Sequence, residues 1–127
     1  AMVIFYRECH DLLVAAGKET HNALVVNLAS VAGKSGQGWL SVYAATKFGV
    51  VGFTESMNQE LGRLGIKSCA LCPGFVDTKM TDFVKESVAA EEMIRPTDIA
   101  EMVRALLRLS PACVIPEIIF LRPGEGI

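Results

Sequence analysis

Tyr43 and Lys47 are the two residues whose types and spacing best suit proton transfer. They stand four positions apart in the stretch SVYAATKFG, and this spacing places them on one face of a helix, one turn apart. A tyrosine hydroxyl can transfer a proton when its phenolate form is stabilised, and a nearby lysine ammonium stabilises it by its charge. The same spacing also arises by chance in many helices, so the pair alone leaves a structural explanation open.

Ser30 adds a hydroxyl group at the end of a predicted strand. It closes the apolar, β-branched run ALVVNLAS and precedes Tyr43 by 13 residues. Such runs are typical of buried strands in parallel sheets. A hydroxyl at such a strand end can stabilise negative charge that develops on a substrate oxygen. The alternative is a serine that only satisfies neighbouring backbone groups.

The loop between these residues is rich in glycine but does not have the spacing of a phosphate-binding loop. Gly33, Gly36 and Gly38 form a GxxGxG pattern, whereas dinucleotide-binding turns have GxGxxG. The GKS triplet at 33–35 lacks the earlier glycine of a Walker A loop, because Leu28 occupies that position. We therefore interpret the segment as a flexible loop at the carboxyl end of a strand, where ligands bind in open α/β sheets.

The remaining sequence predicts helices that alternate with strands, which is the pattern of an α/β fold with a parallel sheet and right-handed crossovers. The predicted elements are a helix over 2–16 ended by Gly17, a strand over 23–30, a helix from a Ser41 cap to about Leu64 ended by Gly65, a strand over 67–74, a helix that begins near Pro96, and a strand over 117–123. The inner face of the long helix is predicted to contain Ala45, Phe48, Val51 and Met57 or their neighbours. The first strand is expected to present an unpaired edge.

Composition excludes several classes of partner. The chain has 127 residues, is 51% hydrophobic and carries a net charge of −2, which suits one domain or part of one. It has no basic cluster to indicate nucleic acid or an anionic membrane, and no apolar run near the ~18 residues of a spanning helix. Without a secretory signal, its cysteines are predicted to be reduced thiols in a cytoplasmic protein.

The CxxC pair of Cys69 and Cys72 allows a thiol redox function as a weaker hypothesis. Redox dithiols usually stand at a helix start, where the thiol is activated, but this pair lies in a predicted strand. Positions three apart in a strand point to opposite faces, and no second ligand pair is present for zinc. We therefore predict two core residues and no metal site.

Taken together, these motifs resemble the classical short-chain dehydrogenases/reductases. NLAS-VAG, the spacing from Ser30 to Tyr43, YAATK and PGFVDTKM match in order across nearly the whole chain. The resemblance implies a Rossmann-type doubly wound parallel sheet and NADP or NAD as cofactor, without distinguishing the two. It implies that Tyr43 transfers the proton, that Lys47 stabilises the phenolate and binds the nicotinamide ribose, and that Ser30 orients the substrate. It also implies cofactor contacts at four positions after the second strand: Pro73, Gly74, Val76 and Thr78.

The sequence also departs from that family. The glycine-rich nucleotide-binding turn, the residue that selects NAD or NADP, and the catalytic asparagine have no counterparts here. We therefore expect residues 1–127 to be the C-terminal part of a single Rossmann domain whose N-terminal nucleotide-binding half is absent, so that this chain alone is inactive. The ending VIPEIIFLRPGEGI lacks the TGxxxxVDGG-like close of many acyl-carrier-protein reductases, which argues against that substrate class.

Two hypotheses of function follow. The first is an NAD(P)-dependent oxidoreductase that interconverts an alcohol and a carbonyl on a small-molecule substrate of hydrophobic or mixed character. The second is a truncated, non-catalytic fragment that acts only as an association module. Residues 79–94 are expected to form a lid over the substrate or an ordinary surface helix. The long helix is narrow at four small residues: Ala44, Ala45, Gly49 and Gly52. They suit either close packing on the helix's own sheet or, since the family commonly pairs this helix across an interface, a homodimer or homotetramer.

Overall fold

Three strands form one parallel sheet in the computed structural model, which describes residues 1–127. The elements in chain order are α1 (Met2–Thr20), β1 (Ala23–Leu28), α2 (Ser41–Leu61), β2 (Ile66–Pro73), α3 (Pro96–Leu107) and β3 (Glu117–Phe120). The strand order is β1-β2-β3, and both pairings are parallel. The α/β class and the parallel sheet are thus confirmed, and β1 stands at an edge of the sheet.

Helices cover both faces of this sheet, as a doubly wound Rossmann-type fold requires. On one face, Met57 and Leu61 of α2 pack on the buried strand residues Ala23 and Ile66, with side chains of α1 beside them. On the other face, Leu106 of α3 packs on Cys69 and Leu71 of β2. All eight residues of β2 are buried, Lys67 and Ser68 included, because it is the central strand of the sheet.

Cys69 and Cys72 lie on opposite faces of β2, as their spacing in a strand predicts. Cys69 packs towards α3, whereas Cys72 packs against Val51 of α2. Both are free thiols with at most 1% of their surface exposed. Burial raises the pKa of Cys69 to about 11 and also raises the pKa of Cys72. These neutral, inaccessible thiols are core residues, and the arrangement does not support a redox dithiol.

Gly17 does not end the first helix, contrary to the sequence-based expectation. The helix continues to Thr20, and His21 ends it in the left-handed conformation with φ 53°. Gly17 is buried, and a Cβ atom on it would lie 2.1 Å from the carbonyl oxygen of Leu64. The glycine is therefore needed for the close approach of α1 to the turn before β2. Gly65, with φ 75°, ends that turn as predicted.

The long helix differs from its prediction at its start and on its inner face. Ser41 is its first residue rather than its cap, because Leu40 takes the cap position without a side-chain hydrogen bond. The predicted inner residues Ala45 and Phe48 are exposed, and the helix continues as a 3-10 turn over Gly62–Leu64. The buried residues are Ala44, Val51, Thr54, Met57 and Leu61.

Two polar side chains of α2 hold the sheet. Thr54 is fully buried and its hydroxyl accepts a hydrogen bond of 3.0 Å from the Asn27 amide of β1. Asn58 donates to the Ser68 carbonyl at 2.8 Å and accepts from the Ser68 amide at 2.7 Å. Asn58 thereby pairs with backbone groups of β2 at a position where β3 does not extend alongside the strand. No helix of the chain is both long and apolar enough for a membrane span.

Candidate active site

The three predicted catalytic residues lie near the carboxyl ends of β1 and β2. Ser30 follows β1 by two residues, and Tyr43 and Lys47 lie in the first two turns of α2. The Ser30 hydroxyl accepts a hydrogen bond from the Ala32 amide at 3.1 Å and makes a long contact of 3.5 Å to the Pro73 carbonyl. Ser30 is thereby held between the ends of two neighbouring strands, where a ligand can be reached.

Tyr43 and Lys47 share one face of α2, as their spacing predicts. The Lys47 ammonium lies 5.5 Å from the centroid of the Tyr43 ring, which is a cation–π arrangement. The same ammonium donates a hydrogen bond of 3.0 Å to the carbonyl oxygen of Leu28 in β1. Tyr43 is 38% exposed, and its hydroxyl makes no hydrogen bond within the chain. The phenol therefore remains open to a ligand while the lysine is held by the backbone.

The first half of the glycine-rich loop is packed rather than flexible, which corrects our expectation. Val31–Gly33 form a 3-10 turn in which Ala32 and Gly33 are buried. A Cβ atom on Gly33 would lie 2.7 Å from the Lys47 carbonyl oxygen, so the loop contacts the backbone of α2 directly. Gly36 and Gly38, by contrast, have open space around them. Only the second half of the loop is exposed.

Lys34 of the GKS triplet is already engaged by a carboxylate. Its ammonium lies 2.9 Å from Glu117 of β3. The adjacent Glu117 carboxylate raises the pKa of the Lys34 ammonium, and this outweighs the lowering effect of burial. Lys34 is therefore already paired with a carboxylate of the same chain and is not free to bind a phosphate. This agrees with the glycine spacing, which is not that of a phosphate-binding loop.

The last residue of β2 and the segment after it carry the four predicted cofactor contacts. The Gly74 amide donates to the Phe120 carbonyl at 2.9 Å, and a Cβ atom on Gly74 would lie 3.1 Å from a Glu125 carboxylate oxygen. Pro73 is buried and Thr78 is exposed. The Val76 carbonyl accepts a hydrogen bond of 2.6 Å from the Thr81 hydroxyl, whereas the Val76 amide has no partner within the chain. No bound molecule tests these roles, and they stay predictions.

Arg122 and Glu125 were not expected beside this segment. The Glu125 carboxylate accepts hydrogen bonds from the Arg122 backbone amide and side chain at 3.1 and 3.3 Å. The Arg122 guanidinium lies 5.8 Å from the centroid of the Phe75 ring. The chain thus folds back over Gly74 and Phe75. The opposite charges three positions apart were the available sequence signal, but they do not reveal which residue they cover.

Residues 79–94 form short 3-10 helices over Lys79–Val84 and Ala90–Glu92, not an ordinary surface helix. Met80 and Phe83 are 75% and 77% exposed. A cavity of about 570 Å³ lies between the end of this segment and the chain after β3. Its lining consists of Glu91, Glu92, Met93, Ile94, Asp98, Leu121, Arg122 and Pro123. None of the three predicted catalytic residues lines it, so it is separate from the site described above.

The sequence of this chain is similar to those of several known proteins. The family model described as short chain dehydrogenase matches residues 1–89. A Streptomyces coelicolor protein named as a ketoacyl reductase is 35% identical, over 95% of this chain and 54% of its own length. The human (3R)-3-hydroxyacyl-CoA dehydrogenase is 39% identical over 65% of this chain and 34% of its own length. The chain therefore spans about half the length, or less, of these relatives.

Solved structures show the same fold. A beta-ketoacyl-ACP reductase from Bacteroides thetaiotaomicron superposes with a TM-score of 0.68 at 36% identity, covering 84% of this chain and 44% of that one. A variant of actinorhodin polyketide ketoreductase with NADPH gives 0.72 at 33% identity, covering 91% of this chain and 52% of that one. Serine dehydrogenase from Escherichia coli gives 0.78 at 21% identity, covering 98% and 50%.

Proposed function

The chain belongs to the short-chain dehydrogenase family. On that basis we propose that it forms part of an NAD(P)-dependent oxidoreductase that interconverts an alcohol and a carbonyl. The observation that carries the proposal is the position of the Lys47 ammonium, 5.5 Å from the Tyr43 ring centroid. Ser30 provides a third polar group at the same end of the sheet. A proton donor, a cation and an orienting hydroxyl are the groups that a carbonyl oxygen needs as it becomes an alcohol.

In the direction of reduction, each residue acts on the substrate oxygen or on its neighbour. The Tyr43 hydroxyl donates the proton to the oxygen, and the Lys47 ammonium stabilises the phenolate that remains. Ser30 already accepts a hydrogen bond from Ala32, so its own hydrogen is held only by the 3.5 Å contact to Pro73. A substrate oxygen replaces this weak contact at little cost.

The residues of this chain fit the nicotinamide end of the cofactor. The Lys47 ammonium uses one of its three donors on Leu28, and the remaining donors can bind ribose hydroxyls. The unpaired Val76 amide and the exposed Thr78 hydroxyl can bind a carboxamide. When bound, the nicotinamide gives or takes the hydride. The glycine-rich loop of this chain does not suit the phosphate end of the cofactor, because its Lys34 is paired with Glu117. NADP and NAD both remain in the proposal.

Acyl thioesters are the first substrates to test. The relatives described above carry the names ketoacyl reductase and (3R)-3-hydroxyacyl-CoA dehydrogenase. Both names describe an oxygen on an acyl group, and the second places it at the third carbon. Trp39, Met80 and Phe83 expose large apolar surfaces in the segments around the site, which suit an acyl chain. Because the chain end does not favour carrier-protein substrates, we choose acetoacetyl-CoA as the probe.

The second candidate is an association module without catalysis, with residues 1–127 forming the C-terminal part of a Rossmann domain. It is favoured by the share of the relatives' length that the chain spans and by the edge position of β1. The small residues of α2 would then serve a homodimer or homotetramer. Saturable binding of NADH or NADPH to the purified protein, measured by fluorescence, contradicts this candidate.

The decisive variant is Tyr43→Phe. In the full-length protein, we expect turnover of acetoacetyl-CoA to fall by about 10²- to 10⁴-fold, because general acid catalysis contributes about that much. The free energy of unfolding should stay unchanged, since the Tyr43 hydroxyl has no partner in the chain. Tyr6→Phe is the matched control: it loses the hydrogen bond to His10 on α1 but should keep full turnover. Equal turnover in the two variants would contradict the proposed role of Tyr43.

A further inference from the structure

Lys34 and Glu117 form a mostly buried ion pair that the proposed mechanism does not use. The ammonium and a carboxylate oxygen of Glu117 lie 2.9 Å apart, and the two side chains are 29% and 20% exposed. Lys34 lies in the loop between Ser30 and Tyr43, whereas Glu117 is the first residue of β3. The pair therefore ties the loop that separates the catalytic residues to a strand distant in sequence.

The partner of this Glu117 oxygen is a charge rather than a well-aligned hydrogen bond. The Oε2 atom is inaccessible to solvent and has no donor of good hydrogen-bond geometry, although the ammonium lies at ion-pair distance. A buried carboxylate is costly unless a cation compensates it. The pair formed by Glu101 and Arg104 on α3 differs in this respect, because its side chains are 66% and 62% exposed. Such exposed pairs contribute little.

Three consecutive loop residues are each held by a different part of the site. The Ala32 amide donates to the Ser30 hydroxyl at 3.1 Å. Gly33 lies against the backbone of Lys47. Lys34 then binds Glu117. The first two contacts bring the loop to catalytic residues, and the third fixes it to the sheet.

We propose that Lys34 and Glu117 are positioning residues for the catalytic site: their ion pair fixes the loop that orients the Ser30 hydroxyl and borders Lys47. The proposal rests on the proposed function for its catalytic consequence, but its structural part stands independently. Without the ammonium, the Glu117 carboxylate must take up water or turn away, and the loop loses its attachment to β3. Ser30 then samples orientations that do not meet the substrate oxygen, and turnover falls although the fold persists.

Four variants of the full chain separate positioning from folding. Lys34→Met and Glu117→Gln each remove one charge, and Lys34→Arg keeps it. The double variant K34E/E117K restores an ion pair with reversed order. Arg104→Met removes the exposed pair on α3 and serves as the matched control. Glu117→Gln keeps the shape of the side chain, so it tests the proposal even where Lys34→Met does not fold.

Amide hydrogen exchange gives the structural readout. We expect exchange at residues 31–35 to accelerate about tenfold or more in both single-charge variants, because the loop opens locally. Exchange in β1 and β2 should not change. K34E/E117K and Lys34→Arg should return most of the protection, and Arg104→Met should match the unaltered protein. Unchanged exchange at 31–35, or acceleration spread evenly over the sheet, would overturn the proposal.

Kinetics give the catalytic readout with acetoacetyl-CoA and either nicotinamide cofactor. We expect kcat of the single-charge variants to fall about tenfold, with cofactor affinity unchanged and kcat restored in K34E/E117K. A kcat that stays normal despite local opening would overturn the positioning role. No turnover in the unaltered protein would count against the proposed function alone, since hydrogen exchange still decides whether the pair holds the loop.

Discussion

Replacing Gly33 with alanine should disturb α2 through its backbone. The added Cβ atom would lie 2.7 Å from the carbonyl oxygen of Lys47 and 3.3 Å from its Cβ atom. Ordinary contacts begin near 3.4 Å, so the methyl group and the oxygen must separate by about 0.7 Å. Because Ala32 and Lys34 are both anchored, the loop cannot simply retreat. The turn of α2 around Lys47 must therefore move.

The expected effects follow from that displacement. Overpacking of this kind costs about 1–3 kcal/mol of unfolding free energy. The Lys47 ammonium also shifts relative to the Leu28 carbonyl, now 3.0 Å away, and to the Tyr43 ring. Since a 1 Å misplacement can cost ~10²-fold in rate, a displacement of about 0.7 Å should lower kcat by about 10- to 100-fold.

Gly36→Ala is the matched control, because it adds the same methyl group three residues later in open space. Urea unfolding gives the stability of both variants, and acetoacetyl-CoA reduction under saturating cofactor gives kcat. Turnover should fall in Gly33→Ala at a temperature where it is still fully folded. If Gly33→Ala equals Gly36→Ala in both measurements, the contact between loop and helix does not position Lys47.

The remaining predictions concern stability. Gly17→Ala places a methyl group 2.1 Å from the Leu64 carbonyl and should lower the free energy of unfolding in urea by about 3 kcal/mol or more. Gly49→Ala adds a methyl group on α2 that meets nothing within 4 Å, and it should raise that free energy by up to about 1 kcal/mol. Burial raises the pKa of Cys69 from 9.0 to about 11, so its contribution to stability is complete below pH 9 and is lost as the pH rises towards 11. Cys69→Ala should remove about 3 kcal/mol of that alkaline loss, and unfolding curves of equal pH slope for both proteins would contradict this.

The sequence predicts the strands and the proximity of Tyr43 and Lys47 well, because both leave local patterns. β2 is a largely apolar run, interrupted by Lys67 and Ser68 and bounded by glycine and proline, and the structure places it at the centre of the sheet. Tyr43 and Lys47 are separated by one helical turn, so any helix brings them together. The family motifs then indicate which of several plausible hydroxyl groups belongs with them.

The expectations that failed depend on contacts between distant segments. Gly17 has the local signature of a helix end, but its neighbour is Leu64, which no local pattern reveals. The burial of Thr54, which no sequence pattern indicated, likewise depends on Asn27 of β1, whose amide donates a hydrogen bond to the Thr54 hydroxyl. Lys34 is likewise explained only by Glu117. In each case a partner from another element decides the conformation, and pattern rules for single elements do not include it.

The Lys47 ammonium is held by a main-chain carbonyl oxygen, and this affects which positions of the chain tolerate substitution. The Leu28 carbonyl that accepts from Lys47 is present whatever side chain stands at position 28, and that side chain is 60% exposed. Sequence drift at this position therefore leaves the attachment intact. A saturation mutagenesis survey would score position 28 as tolerant and position 33 as intolerant, although both hold the same lysine. Substitution profiles therefore understate how much main-chain contacts contribute to holding Lys47.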